Sequence, residues 1–164
     1  DETDCMVDIA RYFIDFLIGE SCGKCLPCRE GLTQISALLN DICNGEADEG
    51  TIELLEELSN TVKECSLCAL GGSAPNPVLS TLRYFRSEYE AHVKEKRCPA
   101  GVCKALITYS IDQEKCTGCM LCARNCPQQA ITGEKKKPHQ IQTDKCIKCG
   151  ICRDICTYDA VVVR

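Results

Sequence analysis

Two closely spaced cysteine motifs near the C-terminal end constrain this chain most. Each has the form Cys-x2-Cys-x2-Cys-x3-Cys, at residues 116–126 and 146–156. Three thiolates on a tight loop can occupy three corners of one 4Fe-4S cluster, while the fourth cysteine, carried by a helical turn, points to the other cluster. The pattern therefore predicts two clusters. We assign one to Cys116, Cys119, Cys122 and Cys156, and the other to Cys146, Cys149, Cys152 and Cys126.

The two motifs belong to an internal repeat. Cys116 aligns with Cys146, and Ala130 with Ala160, at an offset of thirty residues. Such a repeat is typical of a duplicated cluster-binding unit, and it predicts a small two-cluster ferredoxin-like domain over residues 107–164. Structural zinc and disulfides are the alternatives. Zinc prefers separated Cys-x2-4-Cys pairs over four closely spaced thiols, so we favour the clusters.

Composition limits where the chain works and what it binds. Seventeen of the 164 residues are cysteine, yet the sequence starts with neither the basic segment nor the apolar run of a signal peptide. We therefore expect a soluble protein of a reducing, anaerobic cytoplasm, without a membrane span. The net charge of −5 argues against a nucleic-acid partner. Since the chain begins at Asp1 in mid-pattern, we expect it to be part of a longer protein.

Apolar periodicity predicts four helices before the cluster motifs. They cover residues 4–18, about 29–43, 51–62 and 76–93, and their capping residues include Thr51 and Asn76. Short connections favour an up-down four-helix bundle over residues 1–95, so the expected fold class is α+β. The alternative is that the helices pack on a larger domain outside this chain. The apolar stripe of the first helix is taken as Met6, Ile9, Phe13, Phe16 and Leu17.

A third cysteine motif lies between the first two predicted helices. Cys22, Cys25 and Cys28 have the spacing Cys-x2-Cys-x2-Cys and need a fourth ligand for a 4Fe-4S cluster. In an up-down bundle the loop after the third helix lies at the same pole, and it contains Cys68. Cys65 is the competing ligand, and we prefer Cys68 because it lies in the loop. Cys28 is expected just before helix two, where the helix dipole favours a thiolate.

A fourth group of ligands is predicted at the joint between the two domains. Cys98 and Cys103 flank a turn, and His92 precedes them at the end of the fourth helix. Zinc accepts a Cys3His set, so residues 96–106 are read as a hinge with a structural zinc site. The fourth ligand is Cys5 or Cys43, and we choose Cys5 because a helix N-terminus favours the thiolate. Alternatively, the cysteines are free thiols and His92 is a surface residue.

A basic run, Lys135-Lys136-Lys137, lies between the two ferredoxin motifs. The simpler interpretation is a solvated hairpin tip. The functional interpretation is a docking site for an acidic external ferredoxin, which a basic tip would attract over long range.

Three stretches of the N-terminal part carry a family resemblance. ESCGKCLPCREG, SLCALG and APNPVLSTLRYFRSEYEAH resemble the C-terminal cluster domain of the NADH-binding flavoprotein subunit of complex I. The resemblance covers residues 1 to about 95. It implies that Cys22, Cys25, Cys28 and Cys68 hold a 4Fe-4S cluster that takes electrons from FMN.

The appended KRCPAGVCKALI and the double motif extend the resemblance. Together they look like the β subunit of NAD(P)-dependent, electron-bifurcating iron-only hydrogenases. This implies a hydrogenase catalytic subunit, a small thioredoxin-like 2Fe-2S subunit and an external ferredoxin as partners. No Gly-rich dinucleotide or flavin loop is found, so FMN and NAD(P) are expected on a missing part of the parent subunit, and no catalytic residue is assigned here. The competing hypothesis is a free-standing polyferredoxin-like carrier or adaptor.

Overall fold

The computed structural model describes residues 3–163 of the chain. It divides into two compact units, Asp1–Leu106 and Ile107–Arg164. The first unit is helical, and the second contains two small sheets and two short helices. The mixture of many helices with two small sheets confirms the expected α+β fold class.

Between residues 3 and 106, the structure contains four long helices and two short ones. Their bounds are α1 Met6–Glu20, α2 Leu26–Asn44, α3 Thr51–Cys65, α4 Ala69–Ser73, α5 Asn76–Lys94 and a 3-10 helix, Lys104–Leu106. Helix α1 contacts α2 and α5, and α3 contacts the same two helices. The short helix α4 was not predicted. Within residues 3–163, no helix combines the length and the apolar character that crossing a membrane requires.

Polar contacts fix how α1 and α2 pair. Ser36 Oγ donates a hydrogen bond to Asp15 at 2.6 Å, and the Arg11 guanidinium donates one to Asn40 Oδ1 at 3.1 Å. The earlier residue of α1 contacts the later residue of α2, and the later residue of α1 contacts the earlier residue of α2. The two helices are therefore antiparallel. The end of α1 and the start of α2 therefore lie at one pole of the unit, where the Cys22 motif connects them.

The apolar stripe predicted for α1 was wrong. The buried residues of this helix are Val7, Ala10 and Ile14, whereas Phe13 and Phe16 are 44% and 57% exposed. This helix carries large apolar residues on more than one face, so periodicity alone does not show which face packs inward.

The start of α2 and the caps of α3 and α5 also differ from the prediction. Helix α2 begins at Leu26 with Cys25 as its N-cap, so Cys28 lies inside the first turn instead of before the helix. Pro27 explains the earlier start, because a proline in the first turn lacks only an N–H that would have no partner there. Thr51 and Asn76 are the first helical residues of α3 and α5, not their caps.

The second unit repeats one small pattern twice. Its elements are β1 Tyr109–Ile111, α6 Leu121–Asn125, β2 Ile131–Thr132, β3 Gln140–Ile141, α7 Ile151–Asp154 and β4 Val161–Val163. Strand β1 pairs antiparallel with β4, and β2 pairs antiparallel with β3. Ile111 faces Val161, and Ile131 faces Ile141. These two pairs are equivalent under the thirty-residue repeat, so the unit has internal pseudo-symmetry.

Candidate metal and cluster sites

The third cysteine motif and Cys68 line one pocket of the helical unit. Cys22, Cys25, Cys28 and Cys68 all face it, together with Ser21 and a few neighbouring residues. Cys25 caps α2 and Cys68 caps α4, so two helix starts point at this pocket. We call it the Cys22 pocket.

Polar groups around the Cys22 pocket favour thiolates. Backbone N–H groups of Leu67 and Cys28 lower the pKa of the Cys25 thiol, and the Ser66 hydroxyl adds to this effect. Ser66 Oγ is buried and has no nitrogen or oxygen partner among the described residues, which is uncommon in proteins. Ser21 Oγ lies 3.3 Å from Cys28 Sγ. Hydroxyl donors beside four thiols fit an anionic iron–sulfur group, whose sulfurs accept hydrogen bonds.

The first ferredoxin motif and the last cysteine of the second motif share another pocket. Cys116, Cys119, Cys122 and Cys156 line it, with apolar neighbours that include Ile111 and Val161. Burial, with the nearby charges of Cys116 and Cys119, raises the pKa of Cys122. The positive charge of the iron atoms in a bound cluster would offset the free-energy cost of ionising these buried, closely spaced thiols. We call this the Cys116 pocket.

The second ligand set shows the same local features. Burial raises the pKa of Cys152 to about 11, and the charges of Cys146 and Cys149 add to this effect. The Ala130 N–H donates to Cys126 Sγ at 3.3 Å, and the Ala160 N–H donates to Cys156 Sγ at 3.4 Å. These two bonds are equivalent in the repeat, and N–H donors of this kind stabilise metal-bound thiolate sulfur.

A separate tetrad lies inside the helical unit. Its members are Cys5, His92, Cys98 and Cys103, whose ligand atoms all lie within 4.8 Å of one another. All four residues are buried, with exposures of 1%, 0%, 4% and 6%. His92 is thus not the surface residue of the alternative interpretation. Three sulfurs and one imidazole nitrogen at this spacing form a donor set that suits a single tetrahedral ion such as zinc.

Hydrogen bonding sets the orientation of the His92 ring. Nδ1 lies 2.7 Å from the backbone oxygen of Glu88, which can only accept, so Nδ1 carries the proton. Nε2 then presents its lone pair to Cys5 Sγ at 3.3 Å and Cys103 Sγ at 3.4 Å. Metal-binding histidines commonly donate a hydrogen bond from the ring nitrogen that does not bind the metal, and this bond fixes their tautomer.

The buried thiols of the tetrad influence one another's ionisation. Hydrogen bonds from the Cys103 and Cys5 thiols lower the pKa of Cys98, and N–H groups of Val102 and Cys103 point to Cys98 Sγ at 3.4 and 3.5 Å. Cys43, Cys5 and Cys98 together raise the pKa of Cys103. Buried thiolates repel each other, and a bound cation removes that repulsion.

Cys43 lies beside the tetrad but outside it. Its thiol interacts with that of Cys103, and this hydrogen bond lowers the pKa of Cys43. Cys43 is 4% exposed, like Cys98. The structure therefore brings both candidates for the fourth ligand to the same place and puts Cys5 in the tetrad.

Sequence reasoning missed His139. Both histidines of the chain, His92 and His139, are fully buried, and both rings face cysteine sulfur. The signal was available, because the thirty-residue repeat places His139 at the position of Tyr109 in β1.

Comparison with known families identifies both units. Residues 8–92 match the NADH-ubiquinone oxidoreductase-F iron-sulfur binding region, and residues 109–163 match a 4Fe-4S dicluster domain. The first match covers more than half of the chain, so the chain belongs to the family of the NADH-ubiquinone oxidoreductase-F iron-sulfur binding region. Both units are thus related to domains that bind 4Fe-4S clusters.

Two relatives align with nearly all or with part of this chain. The NADP-reducing hydrogenase subunit HndC of Solidesulfovibrio fructosivorans is 51% identical over 162 residues, which are 99% of this chain and 33% of the relative. The F subunit of the NADH-quinone oxidoreductase of Streptomyces coelicolor is 40% identical over 105 residues, which cover 64% of this chain and 23% of that protein. The chain thus spans about a third of HndC and less of the Streptomyces protein.

One solved structure resembles part of this chain in both fold and sequence. A chain of an NAD+-reducing [NiFe]-hydrogenase in the air-oxidized state matches 57% of this chain with a TM-score of 0.54 and 34% identity. That match covers 17% of the hydrogenase chain.

Proposed function

We propose that this chain is the iron–sulfur electron-transfer segment of an NADH-linked, electron-bifurcating iron-only hydrogenase. The main support is the order of the two family matches. An NADH-ubiquinone oxidoreductase-F iron-sulfur binding region is followed by a 4Fe-4S dicluster domain in the same chain. HndC, whose name states an NADP-reducing hydrogenase subunit, aligns with nearly all of it. The catalytic chemistry belongs to other parts of the complex, and this segment supplies the route for electrons.

Three 4Fe-4S clusters form that route. The Cys22 pocket holds one through Cys22, Cys25, Cys28 and Cys68. The Cys116 pocket holds the second, and Cys126 with the three cysteines of the second motif holds the third. A 4Fe-4S cluster supplies one-electron exchange over a wide range of potentials, and the protein sets the potential through hydrogen bonds and burial.

The tetrad holds a structural zinc ion. Cys103 lies three residues before the boundary between the two units, and the 3-10 helix that follows it packs on α2. Zinc bound by Cys5, His92, Cys98 and Cys103 would tie the segment 96–106 to the start of α1 and the end of α5. The predicted hinge is thereby restrained on its N-terminal side.

The partners follow from the parent complex. FMN and NAD(P) would bind to the remainder of the parent subunit, and a hydrogenase catalytic subunit and a small thioredoxin-like 2Fe-2S subunit would exchange electrons with this segment. The complex would work in the cytoplasm, where thiols stay reduced.

The basic tip offers a contact for an external ferredoxin. Residues 133–138 are exposed, and the Lys136 N–H donates to the Gly118 oxygen at 3.0 Å. Gly118 lies in the loop that carries Cys116 and Cys119, so the lysines are held against a cluster-binding loop. An acidic ferredoxin attracted to this tip would arrive next to the Cys116 pocket.

The complete complex tests the proposal. After anaerobic purification, hydrogen formation is measured with NADH alone, reduced ferredoxin alone and both together. Bifurcating chemistry predicts rapid hydrogen formation only when both donors are present. Equal rates with one donor would contradict bifurcation. Recovery of the chain without any flavin-containing partner would favour the free-standing carrier instead.

A further inference from the structure

The two cluster sites of the second unit differ at two pairs of equivalent positions whose members contact each other. His139 and Tyr109 are thirty residues apart, and so are Met120 and Gly150. Met120 and Gly150 both cap short helices with left-handed backbone conformations, at φ 68° and 83°. The ring of His139 contacts Met120, whereas the Tyr109 hydroxyl lies against Gly150. The two halves of the repeat thus share the left-handed backbone conformation at this position, but the side chains that contact each other there differ.

His139 presents two nitrogen atoms to Cys116 in the Cys116 pocket. Its backbone N–H donates to Cys116 Sγ at 3.5 Å, and its Nδ1 lies 3.9 Å from the same sulfur. On the other side of the ring, Nε2 lies 3.0 Å from Met120 Sδ. The shorter contact to Met120, taken alone, favours a proton on Nε2. A cluster-bound thiolate is a stronger acceptor than a neutral thioether, so we assign the ring proton to Nδ1 when the cluster is bound.

The surrounding structure holds this ring in place. His139 is fully buried, and a Cβ atom at Gly133 would lie 2.7 Å from its Cδ2, so only glycine leaves the ring enough room. The Gln113 side chain donates to the His139 backbone oxygen at 3.0 Å. A ring fixed in this way keeps its donor aimed at one sulfur, and an aimed donor changes a potential more than a freely moving one does.

We propose that His139 is a positioning residue that raises the reduction potential of the Cys116 cluster selectively, through its hydrogen bond to the Cys116 thiolate. The proposal rests on the proposed binding of 4Fe-4S clusters by this unit. An N–H donor stabilises the extra negative charge of the reduced cluster, so reduction becomes easier. Tyr109 has no ring nitrogen to offer at the equivalent position. The repeat therefore builds two clusters with identical ligand spacing and different potentials.

The test is a redox titration of the full chain, followed by electron paramagnetic resonance. Individual clusters are assigned from the hyperfine-shifted NMR signals of their ligand cysteines. In His139→Phe the step assigned to the Cys116 cluster should move to a more negative potential, while the other two steps stay in place. A tenfold change in the ratio of reduced to oxidised cluster corresponds to about 59 mV for one electron, which is readily resolved.

Two further variants keep the proposal falsifiable. Tyr109→His installs the ring at the other cluster and should raise the potential of that cluster, even where His139→Phe fails to fold. Tyr109→Phe is the matched control and should leave the Cys116 step unchanged. An unchanged Cys116 step in iron-replete His139→Phe, or no shift in Tyr109→His, would overturn the proposal. Absence of ferredoxin-type clusters from the wild-type chain would refute the proposed function instead, and iron analysis separates these two failures.

Discussion

Replacing Cys98 with serine should weaken the binding of the proposed zinc ion. Cys98 is 4% exposed and receives two backbone N–H groups, so its sulfur has a defined place in the tetrad. Serine is nearly the same size, and the change therefore removes a ligand without opening a large cavity. A serine hydroxyl is a poor zinc ligand at neutral pH, because zinc sites are built from thiolate, imidazole and carboxylate groups.

The expected size of the effect follows from the number of ligands. Structural zinc sites bind with an apparent free energy of roughly 10–16 kcal/mol, so one ligand of four accounts for roughly 3 kcal/mol. Because 1.4 kcal/mol is a factor of ten in affinity, Cys98→Ser should weaken zinc binding by about a hundredfold. Dialysis against a graded series of a zinc chelator, followed by elemental analysis, measures this change.

Cys43→Ser is the matched control. Cys43 has the same 4% exposure and lies beside Cys103, yet it is outside the tetrad. Its replacement should leave the chelator midpoint nearly unchanged, whereas Cys5→Ser should behave like Cys98→Ser. Zinc retained in Cys5→Ser and lost in Cys43→Ser would show that Cys43, not Cys5, is the fourth ligand. A preparation with full iron and no zinc would refute the zinc site altogether.

Three further predictions concern the clusters, the basic tip and the helix packing. Cys68→Ser should lose or perturb only the paramagnetic signal of the helical unit, and an effect of Cys65→Ser in its place would show that the wrong fourth ligand was chosen. Replacing Lys135–Lys137 with glutamates should slow ferredoxin-linked electron transfer at low salt, with the difference shrinking as salt rises; equal rates across the salt series would remove the docking idea. Gly31→Ala should lower the free energy of unfolding by about 1–3 kcal/mol in urea titrations, because its Cβ would overlap Val62 of α3. Gly19→Ala, with open space around it, should not be destabilised, and equal losses in the two variants would contradict this packing argument.

The cysteine spacings were the most informative part of the sequence. Ligands on short loops are fixed by local spacing, so Cys116, Cys119 and Cys122 could be grouped without a fold. Bringing Cys68 to the Cys22 pocket required only the order of the helices and their short connections. The coarse fold class followed from periodicity in the same way.

Other features depended on tertiary packing, which a single sequence does not encode locally. The buried face of α1 was misassigned because its exposed aromatic residues fit a helical period as well as its buried ones do. Helix α2 starts earlier than predicted because Pro27 fits the first turn of a helix, which apolar periodicity alone does not indicate. The repeat alone shows that His139 stands where the first half has Tyr109, but only the structure shows that the His139 ring lies beside Cys116.

The most direct test of the central claim is the iron and spin content of the reduced chain. The protein is reconstituted without oxygen, its iron is counted per chain, and its paramagnetic signals are followed during stepwise reduction. Three clusters predict about twelve irons and three one-electron steps. A chain that saturates with about eight irons or fewer, or that shows fewer than three reducible clusters, would contradict the proposed electron route.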